Sequence, residues 1–274
     1  MPELPEVQTV ASELDTRLAG RCIAGAEVLW PRTVGYPSPE EFAVAVVGGC
    51  VERVGRRAKY ILIQLQGGDH IVIHLRMTGR ITIEPAATPR DPYTRLVLRL
   101  DGGDELRFAD TRKFGRFYYV PAGETLPLRS YGLLGPEPLE EEFTPHLFAA
   151  RVAARRGNVK AALLDQRLVA GLGNIYVDEA LFRAGIHPRR TLQSLAPAEV
   201  AALHEAIVFV LRRATGQGGT SFSDYRTTWG RLGGYQEELS VFRKAGAPCP
   251  RCGTLIERDV VGGRGTHYCP QCQV

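Results

Sequence analysis

Pro2 follows the initiator in the run Met1-Pro2-Glu3-Leu4-Pro5-Glu6. A small second residue permits removal of Met1, which leaves a chain beginning with a secondary amine. An α-amino group has an ordinary pKa of about 7.7 to 8.0, so part of it is neutral near pH 7, where a typical lysine is not. Attack by a secondary amine on a sugar C1′ gives an iminium cation directly, an electron sink for elimination of the 3′ and 5′ phosphates. Glu3 adds a carboxylic acid within reach of that amine, able to donate or relay protons. The same residues also fit an ordinary frayed terminus ahead of a Pro-started helix.

The second chemistry-bearing pattern is cysteine. Cys249-Pro250-Arg251-Cys252 and Cys269-Pro270-Gln271-Cys272 are two Cys-x-x-Cys knuckles separated by 16 residues. Two residues between thiolates let a tight turn aim both sulfurs at one ion, and four sulfurs complete tetrahedral zinc. Strand-like Leu255 to Val261 and Thr266 to Tyr268, joined by Gly262-Gly263-Arg264-Gly265, predict a zinc-clamped hairpin. Arg264 at its tip is either an exposed turn residue or a probe for phosphate or a reacting sugar. Cys22 and Cys50 lie in strand-like contexts and read as core thiols, since a cytosolic chain makes disulfides the lesser expectation.

The elements that must position these groups fall into two regimes. Val7, Val10, Ala11, Leu14 and Leu18 follow helical spacing, Pro5 suits the first turn and Gly20 can close the helix. Period-two runs then predict strands over 60–65, 70–75, 80–84, 95–100, 105–110 and 116–120, punctuated by Gly67-Gly68-Asp69, Gly79 and Asp101-Gly102-Gly103-Asp104. Short strands at this spacing argue for an antiparallel sandwich. Five prolines between 121 and 145 read as a linker. Helical spacing returns over 148–155, 159–166, 175–184 and 198–215. The fold class is therefore α+β: an N-terminal antiparallel β-sandwich with an N-terminal helix, then a helical region and a four-cysteine zinc-finger hairpin. The expected boundaries are 1–130 for the sandwich, 131–145 for the linker, 146–240 for the helical domain and 241–274 for the zinc module.

Charge narrows the partner. The 274-residue chain carries +4, but unevenly: residues 1–145 hold 17 basic and 20 acidic side chains, whereas residues 146–274 hold 17 and 10. A basic half favours a polyanion. Only four of the 34 basic residues are lysines, namely Lys59, Lys113, Lys160 and Lys244. A lysine pKa is tunable where a guanidinium is a poor proton shuttle, so Lys59 reads either as a solvated strand-end charge or as a proton-transfer group. Gly171-Leu172-Gly173-Asn174 frees the backbone between helices, with Asn174 placed to cap the second. The amides at that end form an anion site, beside Arg156 and Lys160, or merely a packed corner. No apolar run approaches a membrane span and no signal peptide is evident, so a cytoplasmic location is expected.

Taken in order, Pro2-Glu3-Leu4-Pro5-Glu6-Val7, Arg56-Arg57-Ala58-Lys59-Tyr60, His74-Leu75-Arg76-Met77-Thr78-Gly79, Asp110-Thr111-Arg112-Lys113-Phe114-Gly115, Gly171-Leu172-Gly173-Asn174-Ile175-Tyr176 and the terminal knuckles resemble the bacterial formamidopyrimidine-DNA glycosylase family over nearly the whole chain. The resemblance implies a helix-two-turn-helix in the second domain, one structural zinc on Cys249, Cys252, Cys269 and Cys272, and DNA held between the domains. It implies a monomer acting on double-stranded DNA with an oxidised purine or an abasic site, associated with the bacterial nucleoid through that DNA. Pro2 would be the Schiff-base nucleophile, Glu3 a proton donor, Lys59 the β-elimination acid and Arg264 the δ-elimination donor. Excising a base from a duplex requires flipping the nucleotide out and filling the gap. Met77, Arg112 and Phe114 match the family's filling residues, and His74, Arg156, Lys160 and Asn174 its DNA contacts. Gly219-Thr220-Ser221-Phe222-Ser223-Asp224-Tyr225 matches its loop over the flipped base, with Glu6 beside it. At Asp91-Pro92-Tyr93, where the family often has histidines, a DNA contact is not carried over, and the departures at 225–230 and 234–237 bear on lesion preference. The related endonuclease VIII, acting on oxidised pyrimidines, and a non-catalytic damaged-DNA-binding zinc protein are the alternatives.

Overall fold

The computed structural model describes residues 1–222 and 225–274, so Ser223 and Asp224 of the expected loop motif lie outside the described residues. The chain divides into two compact units. The first comprises Met1–Gly132 with Gly218–Gly234, and the second Leu133–Gln217 with Tyr235–Val274.

Helix α1 (Leu4–Leu18) opens the first unit and buries Leu4, Val7, Val10, Ala11, Leu14 and Leu18 along one face. Strands β1 (Ile23–Val28) and β2 (Val34–Tyr36), helix α2 (Pro39–Ala45) and strands β3 (Val51–Arg57), β4 (Tyr60–Leu65), β5 (His70–His74), β6 (Arg80–Pro85), β7 (Thr94–Leu100), β8 (Asp104–Ala109) and β9 (Arg116–Val120) follow, then a short helix α3 (Arg129–Gly132). They form a four-stranded sheet in the order β1-β7-β8-β6 and a five-stranded sheet in the order β2-β9-β5-β4-β3. Every pairing is antiparallel except β2 with β9, which is parallel. Ile61, Ile63, Ile71 and Ile73 of one sheet and Leu96, Leu98, Leu106 and Phe108 of the other enter one buried core, together with the apolar face of α1. Each such side chain contributes about 1.5–3 kcal/mol when fully buried, so the sandwich fixes α1, and with it the N-terminus.

The expected strands from residue 60 onward are all present, whereas β1, β2, α2 and β3 had no clear periodic signal. Cys22 and Cys50 differ from the core-thiol expectation. They face each other in an isolated antiparallel bridge and form a disulfide. Backbone bonds on both sides, Val51 N–H to Arg21 O and Ile23 N–H to Gly49 O, bring the two Cα atoms to 3.9 Å. Cys22 leads into β1 and Cys50 into β3, so the bond joins the edge of one sheet to the edge of the other.

The second unit holds α4 (Pro145–Ala153), α5 (Val159–Leu164), α6 (Asn174–Ala184), α7 (Pro197–Gly216) and the hairpin β10 (Glu257–Val261) and β11 (Arg264–Tyr268). Leu163, Leu172, Tyr176, Leu181, Leu203, Ile207 and Leu211 form its buried helical interior. Its boundary differs from the expected linker. Gly135 N–H donates to Gln166 O at 2.8 Å and Ala170 N–H to Pro136 O at 3.0 Å, so the proline-rich stretch is built into the second unit from Leu133 onward. Residues 218–234, expected with the helical domain, pack instead with the sandwich. Among the described residues no helix is long and apolar enough to cross a membrane.

Candidate active site and nucleic-acid interface

The first unit gathers Pro2, Glu3, Glu6 and the 218–234 loop. Pro2 is buried while Met1 is half exposed, so cleavage after Met1 frees an amine set in the protein surface. Glu3 precedes α1 as its N-cap and is buried. The Glu6 carboxylate works in two directions. Its Oε2 accepts the Glu3 N–H at 2.7 Å and its Oε1 accepts the Thr220 N–H at 2.7 Å. Gly219 lies at φ +81°, and a Cβ there would come within 2.6 Å of Glu6 Oε1, so glycine is required at this approach. The Tyr225 hydroxyl lies 3.1 Å from Gly218 O and 3.3 Å from Glu6 O; burial, with Glu6 nearby, pushes its pKa up. Ser221 Oγ accepts Gly233 N–H at 2.9 Å and donates to Tyr225 O at 3.2 Å, which closes the base of the loop.

Lys59 lies buried in the β3–β4 turn, directly after Ala58 at φ +53°. His74 closes β5 nearby. Its Nδ1 accepts the Arg76 N–H at 3.0 Å, and burial, aided by the charges of Arg76 and Lys59, pushes its pKa down to about 3. The imidazole is therefore neutral with its proton on Nε2, a hydrogen-bond donor that carries no charge.

The expected gap-filling residues come from two adjacent loops. Met77 follows β5, and Arg112 and Phe114 lie between β8 and β9; Met77 is 43% and Phe114 47% exposed. The Arg112 guanidinium sits 5.0 Å from the centre of the Phe114 ring. Asp110 organises both loops, a role the sequence reading missed although it opens the motif. Its buried carboxylate accepts N–H groups of Arg112 at 3.1 Å, Phe114 at 2.8 Å and Gly115 at 2.7 Å, and the Thr78 hydroxyl from the other loop. A buried acid just before a turn whose amides need acceptors is the signal that could have found it. Asp91, in the departing stretch, pairs with Arg80 at 2.7 Å, and Tyr93 stays half exposed beside it.

In the second unit the four cysteine sulfurs lie within 4.8 Å of one another. The Cys249–Cys272 and Cys252–Cys269 separations of 3.9 and 3.5 Å bracket the ~3.8 Å edge of a tetrahedron with 2.3 Å zinc–sulfur bonds. The donor set and spacing thus fit one zinc ion. Arg264 is exposed at the tip of the β10–β11 hairpin, and Arg156 is exposed before α5.

Lys160 departs from its expected phosphate contact, and Asn174 from its expected place as the cap of α6. Lys160 is fully buried, and its ammonium pairs with Asp178 at 2.6 Å and donates to Thr266 Oγ1 at 2.8 Å and Gly265 O at 3.1 Å. An ammonium so enclosed is a structural cation rather than a direct phosphate ligand. Asn174 is the first residue of α6, with Gly173 as the N-cap, so it does not cap the helix as expected. Its Nδ2 donates to the same Gly265 carbonyl at 2.8 Å. Both side chains hold the backbone next to Arg264. Glu179, also unanticipated, accepts the N–H groups of Ser240, Val241 and Phe242 at 2.8–2.9 Å and anchors the chain entering the zinc module.

Comparison with known proteins gives three successive matches along the chain. Residues 1–117 match the Formamidopyrimidine-DNA glycosylase N-terminal domain, residues 134–226 the Formamidopyrimidine-DNA glycosylase H2TH domain, and residues 246–274 a zinc finger found in FPG and IleRS. The formamidopyrimidine-DNA glycosylase of Symbiobacterium thermophilum is 50% identical over 274 residues, covering 100% of this chain and 89% of its own. That of a Roseiflexus species is 47% identical with both chains fully covered. Among solved structures, a Lactococcus lactis FPG mutant in complex with a Fapy-dG containing DNA superposes with a TM-score of 0.93 at 37% identity, covering 99% of each chain. MutM in complex with carbocyclic 8-oxo-G containing DNA gives 0.92 at 37%, again over 99% of each. The chain belongs to the formamidopyrimidine-DNA glycosylase family.

Proposed function

We propose that this protein is a bifunctional DNA glycosylase and abasic-site lyase that excises oxidised purines from duplex DNA. The observation that carries the reading is the Glu6 carboxylate, which ties the backbone beside the Pro2 amine to the loop at Thr220. A base held under that loop would present its sugar to the amine. With Met1 removed, the Pro2 nitrogen attacks C1′ of the flipped nucleotide, the C1′–base bond breaks with the amine's N–H proton passing to the departing base, and a proton from Glu3 to the ring oxygen lets the C1′–O4′ bond break to leave an iminium. The resulting iminium acidifies C2′–H; loss of that proton expels the 3′ phosphate, and a second elimination expels the 5′ phosphate. Lys59 serves the first elimination and Arg264 the second. Met77 and Phe114 are apolar groups able to fill the vacated stack, and Arg112 is able to hydrogen-bond the orphaned base. Zinc is structural: it fixes the hairpin that carries Arg264. Arg156 is suited to backbone phosphate, and the neutral His74 to a phosphate oxygen through Nε2–H.

The test is borohydride trapping on 8-oxoguanine, abasic and oxidised-pyrimidine duplexes, with mass spectrometry to verify that Met1 is gone. A trapped adduct with wild type and none with Pro2→Gly is expected. Absence of adduct from processed wild-type protein on 8-oxoguanine DNA would overturn the assignment. A pyrimidine arm is included because wild-type Lactococcus lactis FPG has been solved with an oxidized pyrimidine containing DNA. Adduct formed there in preference to 8-oxoguanine would favour the endonuclease VIII-like reading.

A further inference from the structure

Helix α1 carries more than the start of the active site. Glu6, Glu13 and Arg17 are seven and four residues apart, so they share one face of the helix. Each meets the 218–234 segment at a different point. Glu6 holds Thr220, as described. Glu13 Oε2 accepts both the backbone N–H and the hydroxyl of Thr228 at 2.6 Å. The Arg17 guanidinium lies 4.4 Å from the centre of the Trp229 ring and donates to Ile83 O at 2.6 Å, which fastens it to the sandwich. The far part of the segment is itself a closed turn: Gly230 N–H donates to Thr227 O and Thr227 N–H to Arg231 O, both at 2.9 Å. Thr227 and Thr228 are only 4% and 3% exposed, so the Glu13 contact is sheltered from competing water.

We propose that Glu13, supported by Arg17, is a positioning residue for recognition of the damaged base. It fastens the far turn of the loop so that the near turn, at Gly219 and Thr220, is held over an extruded base. This rests on the reading of the loop given under Proposed function. An abasic site has no base to cover, which separates the role from catalysis and from general folding.

The experiment is single-turnover kinetics on 8-oxoguanine and preformed abasic duplexes with Met1-processed protein. Glu13→Ala is expected to slow 8-oxoguanine excision about tenfold while abasic-strand cleavage stays within twofold of wild type. Glu13→Gln, whose amide oxygen still accepts from Thr228, is expected to recover most of the excision rate. Wild-type excision by Glu13→Ala, equal losses on both substrates, or no recovery with Glu13→Gln would each overturn the proposal. Gly219→Val tests the underlying reading separately. If it excises normally, the loop does not cover the base; if it is slow while Glu13→Ala is normal, only the role of Glu13 falls.

Discussion

Glu6 and Thr220 are 214 residues apart in sequence and 2.7 Å apart in space, joined by a buried carboxylate accepting a backbone N–H. The other oxygen of the same carboxylate holds Glu3, so one acid sets both the neighbour of Pro2 and the start of the loop.

Replacing this acid tests that double role. Glu6→Ala leaves two N–H groups without their acceptor, and hydrogen bonds to charged groups are worth about 1.5–3 kcal/mol each. A loss of about 3 kcal/mol in urea unfolding is expected, with at least a tenfold fall in 8-oxoguanine excision. Unchanged stability would mean that water replaces both contacts without cost.

His74 makes stability depend on pH. Its pKa in the folded protein, about 3, lies below the ordinary histidine value of about 6.5 in the unfolded chain. Between those values the unfolded state binds the extra proton, so acid favours unfolding. The contribution of the neutral ring is complete above pH ~6.5 and declines as pH falls toward 3, by at most about 1.4 kcal/mol per pH unit. His74→Gln is expected to flatten the curve between pH 4.5 and 6.5 in denaturation series, and an unaltered slope would contradict the burial assigned to the ring.

Lys160 is expected to matter for stability and not for phosphate counting. Lys160→Met leaves Asp178 buried without its cation, a change that costs about 3–5 kcal/mol, and Asp178→Asn in the same chain should recover part of it. Calorimetry measures this directly. In DNA titrations the salt dependence should keep its slope in Lys160→Met and lose about one phosphate equivalent in Arg156→Ala. A lowered slope for Lys160→Met would restore it as a phosphate ligand.

Reduction of the Cys22–Cys50 bond should destabilise the sandwich. The cysteines are 28 residues apart, and closing a loop of that length lowers unfolded-chain entropy by about 3–4 kcal/mol in the chain-entropy model. Thermal melts with and without dithiothreitol, compared with Cys22→Ser/Cys50→Ser, are expected to show a lower Tm in the reduced wild type and no response in the double variant.

Much of this was readable from residues alone, for definable reasons. Strands β4 and β6 alternate between more and less buried positions, β5, β7, β8 and β9 are short, largely buried runs bounded by turn residues, and the knuckles announce their metal through ligand spacing. Strand β1, Ile-Ala-Gly-Ala-Glu-Val, is too poor in large apolar residues to show a period, and the burial along β3 does not alternate. Lys160 reads the same in sequence whether its ammonium meets a phosphate or Asp178, because the deciding partner arrives 18 residues later on another helix. The Cys22–Cys50 pairing depends on which sheet edges meet, a long-range relation that strand propensity does not encode. Glu13 was invisible for a similar reason: its partner Thr228 lies 215 residues away.

The assignment of residues 218–234 to the first unit bears on how this protein can be dissected. The polypeptide enters the second unit at Leu133, returns for seventeen residues, and leaves again at Tyr235. Truncation after Gly132 would therefore strip Glu6 and Glu13 of their loop partners even with the sandwich intact. The compact unit around Pro2 and Glu6 is a splice, residues 1–132 with 218–234, and is not cut out by any single truncation. Mutations near the end of α7 or ahead of the zinc module thus fall at the two ends of an excursion that belongs, by packing, to the N-terminus.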